Sequence, residues 1–379
     1  MERGADLLEV RTDLTSLEVD LDAVPLPVLI AERGLRAPES WRRRAAVLDA
    51  NDGSLRSHHA PTPMSTSEVL AHWAGTPPDV QVKHVEPLGS LRDASRLLET
   101  KAALRNVLGD RVTVLATGPL ALPFRAVLAE SNTLDYLALD ATWSAAPGQR
   151  LLDDAVRSSR HARHDGSTQR LGILGSPLGH SRSPRLHVQP FDRIELPPEV
   201  DMGPLLAALR PHYRGFAVTN PFKKAVARST NANRDAVNTL VREETGWSSA
   251  NTDREGAAAT LSALTQRAGT RLVTVLGDGG VTGALREAAE QLGVTLTVVQ
   301  RASIGDVIQG AVVWTWPASV DAPAALRFEH ALVAVIAYGA PARTIAARVQ
   351  QLGGTPLRLG PRWFIAQARR QRALWESST

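Results

Sequence analysis

Short apolar runs that stop abruptly at glycine or proline, each followed by a helical pattern, recur along this chain and leave it few architectures. Leu171, Ile173 and Leu174 form one such run, ended by Gly175, Pro177 and Gly179. Leu272–Leu276 form another, running into Gly277-Asp278-Gly279-Gly280, with an amphipathic helix predicted over Ala284–Leu292. Before residue 150 the runs are Asp6–Val10, Pro27–Ala31, Ser54–His59, Asp79–Val85, Arg111–Ala116 and Asp135–Leu139. Helical patterns at Trp41–Leu48, Ser67–Trp73 and Arg92–Leu104 fall between them. Strand, helix, strand at this spacing predicts α/β structure with parallel sheets, and a (β/α) barrel-like domain at the N-terminus. No acceptable strand lies between Trp41 and Gly53, so six barrel strands are expected instead of eight, with unpaired edges.

The 379 residues suffice for two or three domains with cores of their own. The absence of cysteine excludes disulfides and thiolate chemistry and leaves His, Asp and Glu as metal-ligand candidates. His161 and His164 have helical spacing, but they sit in the polar, turn-rich stretch 151–170, which reads as a linker with solvated histidines. No metal site is expected. A net charge of +4, scattered along the chain, argues against nucleic acid as a partner. No apolar run approaches a membrane span, and Met1–Arg11 lacks the apolar core of a leader, so a cytoplasmic location is expected.

Only four of the 43 basic residues are lysines: Lys83, Lys101, Lys223 and Lys224. Arginine serves for surface charge but cannot give up a proton near neutral pH, so the retained lysines are candidates for amine chemistry. In Val80–Val85, Val80 and Val82 share one strand face, and Lys83 shares the other with Gln81 and Val85. In a barrel that second face is the interior, where burial lowers an amine's pKa and favours its nucleophilic form.

The run at Leu171 delivers His180, Ser181 and Ser183 to a loop, with Ser183 as N-cap and Pro184 in the first turn of a helix. Phe216–Thr219 reads as a strand ending at Pro221, which puts Lys223 at the start of the next helix and leaves Lys224 to solvent. Asp253 follows Asn251-Thr252 at another strand-to-helix junction. A lysine and an aspartate converging on one pocket can polarise a hydroxyl and pass its proton while hydride leaves the same carbon. Gly277, Gly279 and Gly280, between a strand and a helix, have the form of a Rossmann-type dinucleotide turn, whose backbone amides approach a pyrophosphate. Leu332–Ala337 reads as a last strand and Trp363–Trp375 as an amphipathic closing helix.

From Leu171 onward, five motifs in order resemble shikimate dehydrogenase: Ser181-x-Ser183-Pro184, Gly215–Lys223, Ala236–Leu240, Asn251–Gly256 and Val275–Ala284. The resemblance implies Lys223 and Asp253 as catalytic residues. Ser181, Ser183, Thr219, Asn238 and Gln367 would contact the polyol carboxylate, and Tyr338 would line the pocket. It implies a substrate-binding domain over 171–262, completed by 345–379, and a nucleotide domain over 263–344. Arg301, after the strand Val294–Val299, matches the arginine that holds the phosphate of NADP. Three departures stand out. Ala217 replaces an asparagine, Asp278 puts a carboxylate near the phosphates, and Trp314–Pro317 replaces an Asn-Ala-Thr turn.

Residues 1–150 resemble type I 3-dehydroquinate dehydratase, a (β/α)₈ barrel whose lysine forms an imine with the substrate ketone. The resemblance rests on Leu7–Asp13, His58-His59 ahead of Pro61-Thr62-Pro63, Lys83, Arg125 and Ala146–Gln149. Carried over by position, Lys83 is the imine lysine and His58 the proton carrier, with His59 as second choice. Glu9 and Arg11 match a Glu-x-Arg pair, and Arg125 and Gln149 would hold the carboxylate and hydroxyls. Ala145 replaces the family's serine, and Arg33–Glu39 its glycine-rich loop.

Together the two resemblances imply a bifunctional enzyme acting on 3-dehydroquinate, 3-dehydroshikimate and shikimate with NADP. The alternatives are a shikimate dehydrogenase carrying an inactive barrel, and a metabolite sensor of quinate-repressor type.

Overall fold

The computed structural model describes residues 4–15, 19–140, 142, 144, 146, 149–157, 170–178, 181, 183–187, 191–232, 236–303, 305 and 307–377. His161, His164, His180 and Ala145 lie outside them. The chain forms two compact units, Met1–Asp235 with Arg242–Trp247, and Ala236–Val241 with Ser248–Thr379. The divisions expected from the sequence, at 150, 170 and 262, do not coincide with this one.

The first unit opens with a six-stranded sheet in simple sequential order: β1 (Leu8–Arg11), β2 (Val28–Ala31), β3 (Ala45–Asp49), β4 (Leu55–His59), β5 (Gln81–Pro87) and β6 (Val112–Thr117). Every neighbouring pair is parallel, as the alternation with helices requires. β3 corrects the expectation of no strand between Trp41 and Gly53. The helix there stops at Arg44, and Ala45–Asp49 pairs with β2 along its length but with β4 only at Asp49. Pairing with β2 overrides the helical pattern of Trp41–Leu48. Two further short strands, β7 (Leu137–Ala138) and β8 (Arg150–Leu151), form a separate parallel pair.

Among the described residues the six strands form an open sheet with the sequential order of a barrel. Its β6 edge is covered by a side chain. The Asn132 amide accepts from Val114 N at 3.1 Å and donates to Val114 O at 3.0 Å, while Thr133 N bonds Val112 O at 3.1 Å. A carboxamide thus replaces a strand where an exposed ladder would invite pairing with another chain. One face of the sheet buries Val10, Val28 and Ile30 against Leu21 and Trp41. The opposite face carries Leu29, Ala31 and Leu55, on which Leu134 and Tyr136 pack.

Later in this unit β9 (Arg170–Gly175) lies between β10 (Phe191–Glu195) and β11 (Tyr213–Val218), parallel to both. A buried ionic network ties these strands to the N-terminal sheet's side of the unit. Arg170 Nε meets Asp192 Oδ2 at 2.6 Å, and Arg170 NH1 meets Glu130 Oε1 at 2.7 Å. Arg150 bridges Asp135 and Asp192, and the Tyr213 hydroxyl donates to Asp192. Burial alone would raise the Asp192 pKa, but Arg170 and Arg150 hold it below the ordinary carboxylate value.

The boundary between the units runs through β12 (Thr239–Arg242) and β13 (Trp247–Ala250). The second unit is built on a parallel sheet of β14 (Leu272–Leu276), β15 (Thr295–Val299), β16 (Val307–Trp314), β17 (Arg327–Val335) and β18 (Thr355–Arg358), in the order β15-β14-β16-β17-β18. β17 begins five residues before the predicted Leu332, and β18 has no counterpart among the predicted strands. The helix Asp253–Ala268 and the closing helix Gly360–Glu376 pack together where Trp363 lies against Gly256, a position at which a Cβ would come within 2.7 Å of the indole.

Candidate functional site

Strand alternation sorts the candidates of the N-terminal sheet onto two faces. In the β4–β5 register Ser57 pairs with Lys83, His58 with His84 and His59 with Val85. Ser57, His59 and Lys83 therefore share the face that carries Leu29 and Leu55, along with Glu9 and Arg11 of β1. His58 lies on the other face. It stacks on His72 at 4.0 Å and places Nδ1 3.4 Å from Nδ1 of His84, whose Nε2 is 2.8 Å from buried Glu86. The choice of His58 as proton carrier for Lys83 is thus corrected: a one-residue step along a strand reverses the face, and His59 is the histidine on the amine's side.

Lys83 is 4% exposed. Its Nζ lies 3.9 Å above the Tyr136 ring and 3.8 Å from Asp49 Oδ2. Burial lowers its pKa to about 8 against the opposing pull of Asp49 and Glu9. Asp49, 1% exposed, also takes Arg33 at 2.5 Å and the Ser57 hydroxyl at 2.7 Å through the same oxygen. Its Oδ1 and the Tyr136 hydroxyl are buried without a hydrogen-bond partner among the described residues. Desolvation first, and the Lys83 and Arg33 cations after it, push His59 down to about 4, so its ring is a neutral base near neutral pH. A cleft of about 400 Å³ opens over Arg33, Arg36, Asp49 and Ser57. Arg11 is tied to Asp13 by two hydrogen bonds. Arg125 senses Asp135 and Arg150, and Gln149 lines a second cavity with Arg150.

Sequence reasoning misses Asp49 and Tyr136, although Ala45–Asp49 shows the apolar run and polar end of its neighbours. Lys101 stands out in the sequence only by its residue type. Its amine lies in the core and donates to Leu128 O at 2.5 Å and to Glu130 O, closing the end of helix Arg125–Ala129.

At the end of β9, Gly175 faces Thr219 and Leu178 so closely that a Cβ would sit 2.4 and 2.7 Å from them. That notch lets the loop turn and present Ser181, half-buried, beside buried Ser183; the hydroxyls are 3.5 Å apart. Thr219 N bonds Leu174 O at 2.9 Å. Lys223 is half-buried at the first position of its helix, and Lys224 is exposed.

In the second unit Asn238, fully buried, uses Oδ1 to accept from Thr252 N at 2.8 Å, Thr252 Oγ1 at 3.2 Å and Thr239 Oγ1 at 2.9 Å. Its Nδ2 donor is buried without a partner among the described residues. Gln371, on the closing helix, is buried and donates to Asn238 O and Thr239 Oγ1. Gln367 is half-buried on the same helix. Asp253, 4% exposed, begins its helix with its amide on Asn251 Oδ1. Tyr338 stacks on Phe364 with ring centroids 5.3 Å apart.

The strand order reverses at β14, so the crevice beyond β14 and β16 is the switch point where parallel sheets bind ligands. Gly277 occupies it with φ 109°, and a Cβ there would lie 2.7 Å from Thr315 Oγ1 and from the Trp316 ring. No such crowding surrounds Gly279 or Gly280, and Thr282 Oγ1 closes the turn onto Gly277 O and Gly279 N. Asp278 is drawn outward to Arg286 at 3.4 Å. Trp314 and Trp316 are buried and pack with Leu276 and Phe328. Arg301 is exposed in the turn after β15. Among the described residues no group of three or more His, Asp or Glu side chains is arranged to hold a metal, and no helix is long and apolar enough to cross a membrane.

No family model matches the chain. It is 35% identical over 180 residues to a shikimate dehydrogenase (NADP(+)) of Synechocystis sp., covering 43% of this chain and 62% of the relative. It is 35% identical over 145 residues to that of Microcystis aeruginosa, covering 34% and 50%. The chain thus spans about half to three-fifths of these curated relatives. A solved dehydroquinate dehydratase and shikimate dehydrogenase from S. pombe aligns with 99% of this chain and 91% of its own at 17% identity, with a TM-score of 0.43.

Proposed function

We propose that this chain is an NADP-dependent oxidoreductase that interconverts 3-dehydroshikimate and shikimate. What carries the reading is the stretch similar to curated NADP(+) shikimate dehydrogenases. The hydroxyls after β9, Lys223 and Asp253 at helix starts, and Gly277 at a switch point support it. Ser181, Ser183, Thr219, Asn238, Tyr338 and Gln367 bind the hydroxyls and carboxylate of the substrate, and Asn238 Nδ2, which meets no acceptor among the described residues, has a donor to give. Lys223 and Asp253 hold and pass the proton of the reacting hydroxyl. The turn at Gly277, Gly279 and Gly280 fits a pyrophosphate, because crowding at Gly277 forbids a side chain while the next two glycines leave open space. Arg301 would take the phosphate that distinguishes NADP. A bound nicotinamide supplies the hydride acceptor or donor. The test is NADPH formation from shikimate and NADP+ by the full chain: the reading expects turnover that Lys223→Ala and Asp253→Asn abolish at unchanged melting temperature. A folded wild-type protein without turnover refutes it.

A second activity is favoured by one specific observation, the buried Lys83 amine with its lowered pKa and its neighbours Asp49, Ser57 and His59. We infer that Lys83 attacks the ketone of 3-dehydroquinate, losing water to form an imine. His59 would then take a proton from the carbon beside the imine and return it to the hydroxyl on the next carbon, which leaves as water, and hydrolysis of the imine would release 3-dehydroshikimate and restore the Lys83 amine. Borohydride with dehydroquinate should trap the adduct on Lys83; His59→Ala should prevent dehydration and His58→Ala should not. Binding of these metabolites without turnover at either site would mark a sensor instead.

A further inference from the structure

Leu178 stands three residues before Ser181, and its side chain, amide and carbonyl are each held. Its side chain, 1% exposed, fills the notch left by Gly175. Its amide donates to Glu195 Oε1, and its carbonyl accepts both from Ser181 N at 2.9 Å and from Arg193 NH1 at 2.8 Å. Glu195 and Arg193 lie two apart on β10, so their side chains leave the strand on the same face and reach one peptide from both ends. Arg193 is itself held by Asp154, Nε to Oδ2 at 2.7 Å, and Asp154 comes from the helical turn 152–157 that follows the N-terminal sheet. Leu178, Glu195, Arg193 and Asp154 line one cavity of about 410 Å³ with Leu122, Leu151 and Ile194. Neither a polar pair inside such a wall nor a doubly bonded loop carbonyl is needed for packing alone, since apolar residues would fill the space at lower desolvation cost.

We propose that Asp154 and Arg193 are positioning residues for the substrate loop, through which the N-terminal part of the chain sets the affinity for a polyol carboxylate at Ser181 and Ser183. The inference rests on the dehydrogenase reading for the identity of the ligand, but not for the clamp itself. Asp154 orients the guanidinium, the guanidinium fixes the Leu178 carbonyl, and that carbonyl fixes the Ser181 amide. The serine hydroxyls then meet the ligand without first paying the entropy of ordering the loop.

The test uses the full chain with Arg193→Met, Asp154→Ala, the double variant and the conservative Arg193→Lys. Two readouts are taken: steady-state kinetics with shikimate and NADP+, and hydrogen exchange at the Ser181 and Leu178 amides. Loss of a charge-assisted bond to the carbonyl is expected to raise KM for shikimate about tenfold or more in Arg193→Met, with kcat and KM for NADP+ within about twofold. Ser181 exchange should accelerate while the β9 amides of Leu171–Leu174 stay protected. Arg193→Lys should recover most of the affinity, and the double variant should be no worse than Arg193→Met, since the two residues act in series. Unchanged KM and unchanged Ser181 exchange in folded Arg193→Met overturn the proposal. So does a fall in kcat at constant KM, or a variant that loosens β9 along with the loop. If the wild type has no shikimate turnover, the dehydrogenase reading fails, and the exchange readout alone still decides the clamp.

Discussion

Replacing Lys83 by methionine should make the protein more stable near neutral pH, because the amine is held where its charge is disfavoured. The side chain is 4% exposed, and burial brings its pKa from 10.5 to about 8. That difference corresponds to a penalty of about 3 kcal/mol on the ammonium form in the fold. The sign follows from linkage. A cation whose folded pKa lies below its unfolded value costs stability at every pH below about 8, and the cost vanishes as pH rises to about 10.5. Methionine has nearly the same reach, loses the contact over the Tyr136 ring, worth about 1 kcal/mol, and leaves Asp49 paired with Arg33 and Ser57. The expected gain is therefore about 2 kcal/mol at about pH 7 and none at about pH 10.5. Urea unfolding of both proteins at the two pH values measures it. Lys101, which burial also lowers to about 8, is common to both and cancels in the difference. A variant less stable than wild type near neutral pH would refute the reasoning, since the ammonium would then be stabilised by Asp49 and Tyr136 more than it is penalised by burial.

Gln371→Met should cost about 1–3 kcal/mol, because Asn238 O and Thr239 Oγ1 each lose a buried donor; calorimetric unfolding checks it, and a neutral result would show that neighbours refill the bonds. Gly277→Ala should abolish NADP+ binding in titration calorimetry, since φ 109° and the Thr315 and Trp316 contacts leave no place for a methyl group. Burial first, and neighbouring histidines second, lower the His58 pKa, so its neutral form is the one the fold favours. That contribution is complete above the ordinary histidine value of about 6.5 and is lost as pH falls through the folded value. Stability should therefore decline on acidification, with a shallower slope in His58→Gln, measured by melting temperature against pH.

Much of the candidate site is legible in the sequence because it depends on local chemistry. Gly175 and Gly277 have to be glycine for close approach, Lys223 and Asp253 stand at strand-to-helix junctions, and the polar ends of apolar runs mark the ligand side of parallel sheets. What stays hidden depends on pairing. Ala45–Asp49 is too short to declare its state alone, so β3 and the Asp49 carboxylate emerge only where β2 offers a partner. The choice between His58 and His59 turns on register, which a family spacing does not carry and a single residue reverses.

Composition and period determined the class of this chain: alternating strands and helices, parallel sheets, a glycine turn at a nucleotide-type crevice, and amines kept sparingly. Those properties reside in a few consecutive residues, so they survive without knowledge of neighbours. Tertiary structure alone decided which groups meet. It set Lys83 with Asp49 and Tyr136, Arg193 with Leu178 and Asp154, and Gln371 with Asn238 and Thr239. Each of these pairings joins residues from separate segments of the chain, and its energy exists only once burial has removed the water that would otherwise satisfy both partners.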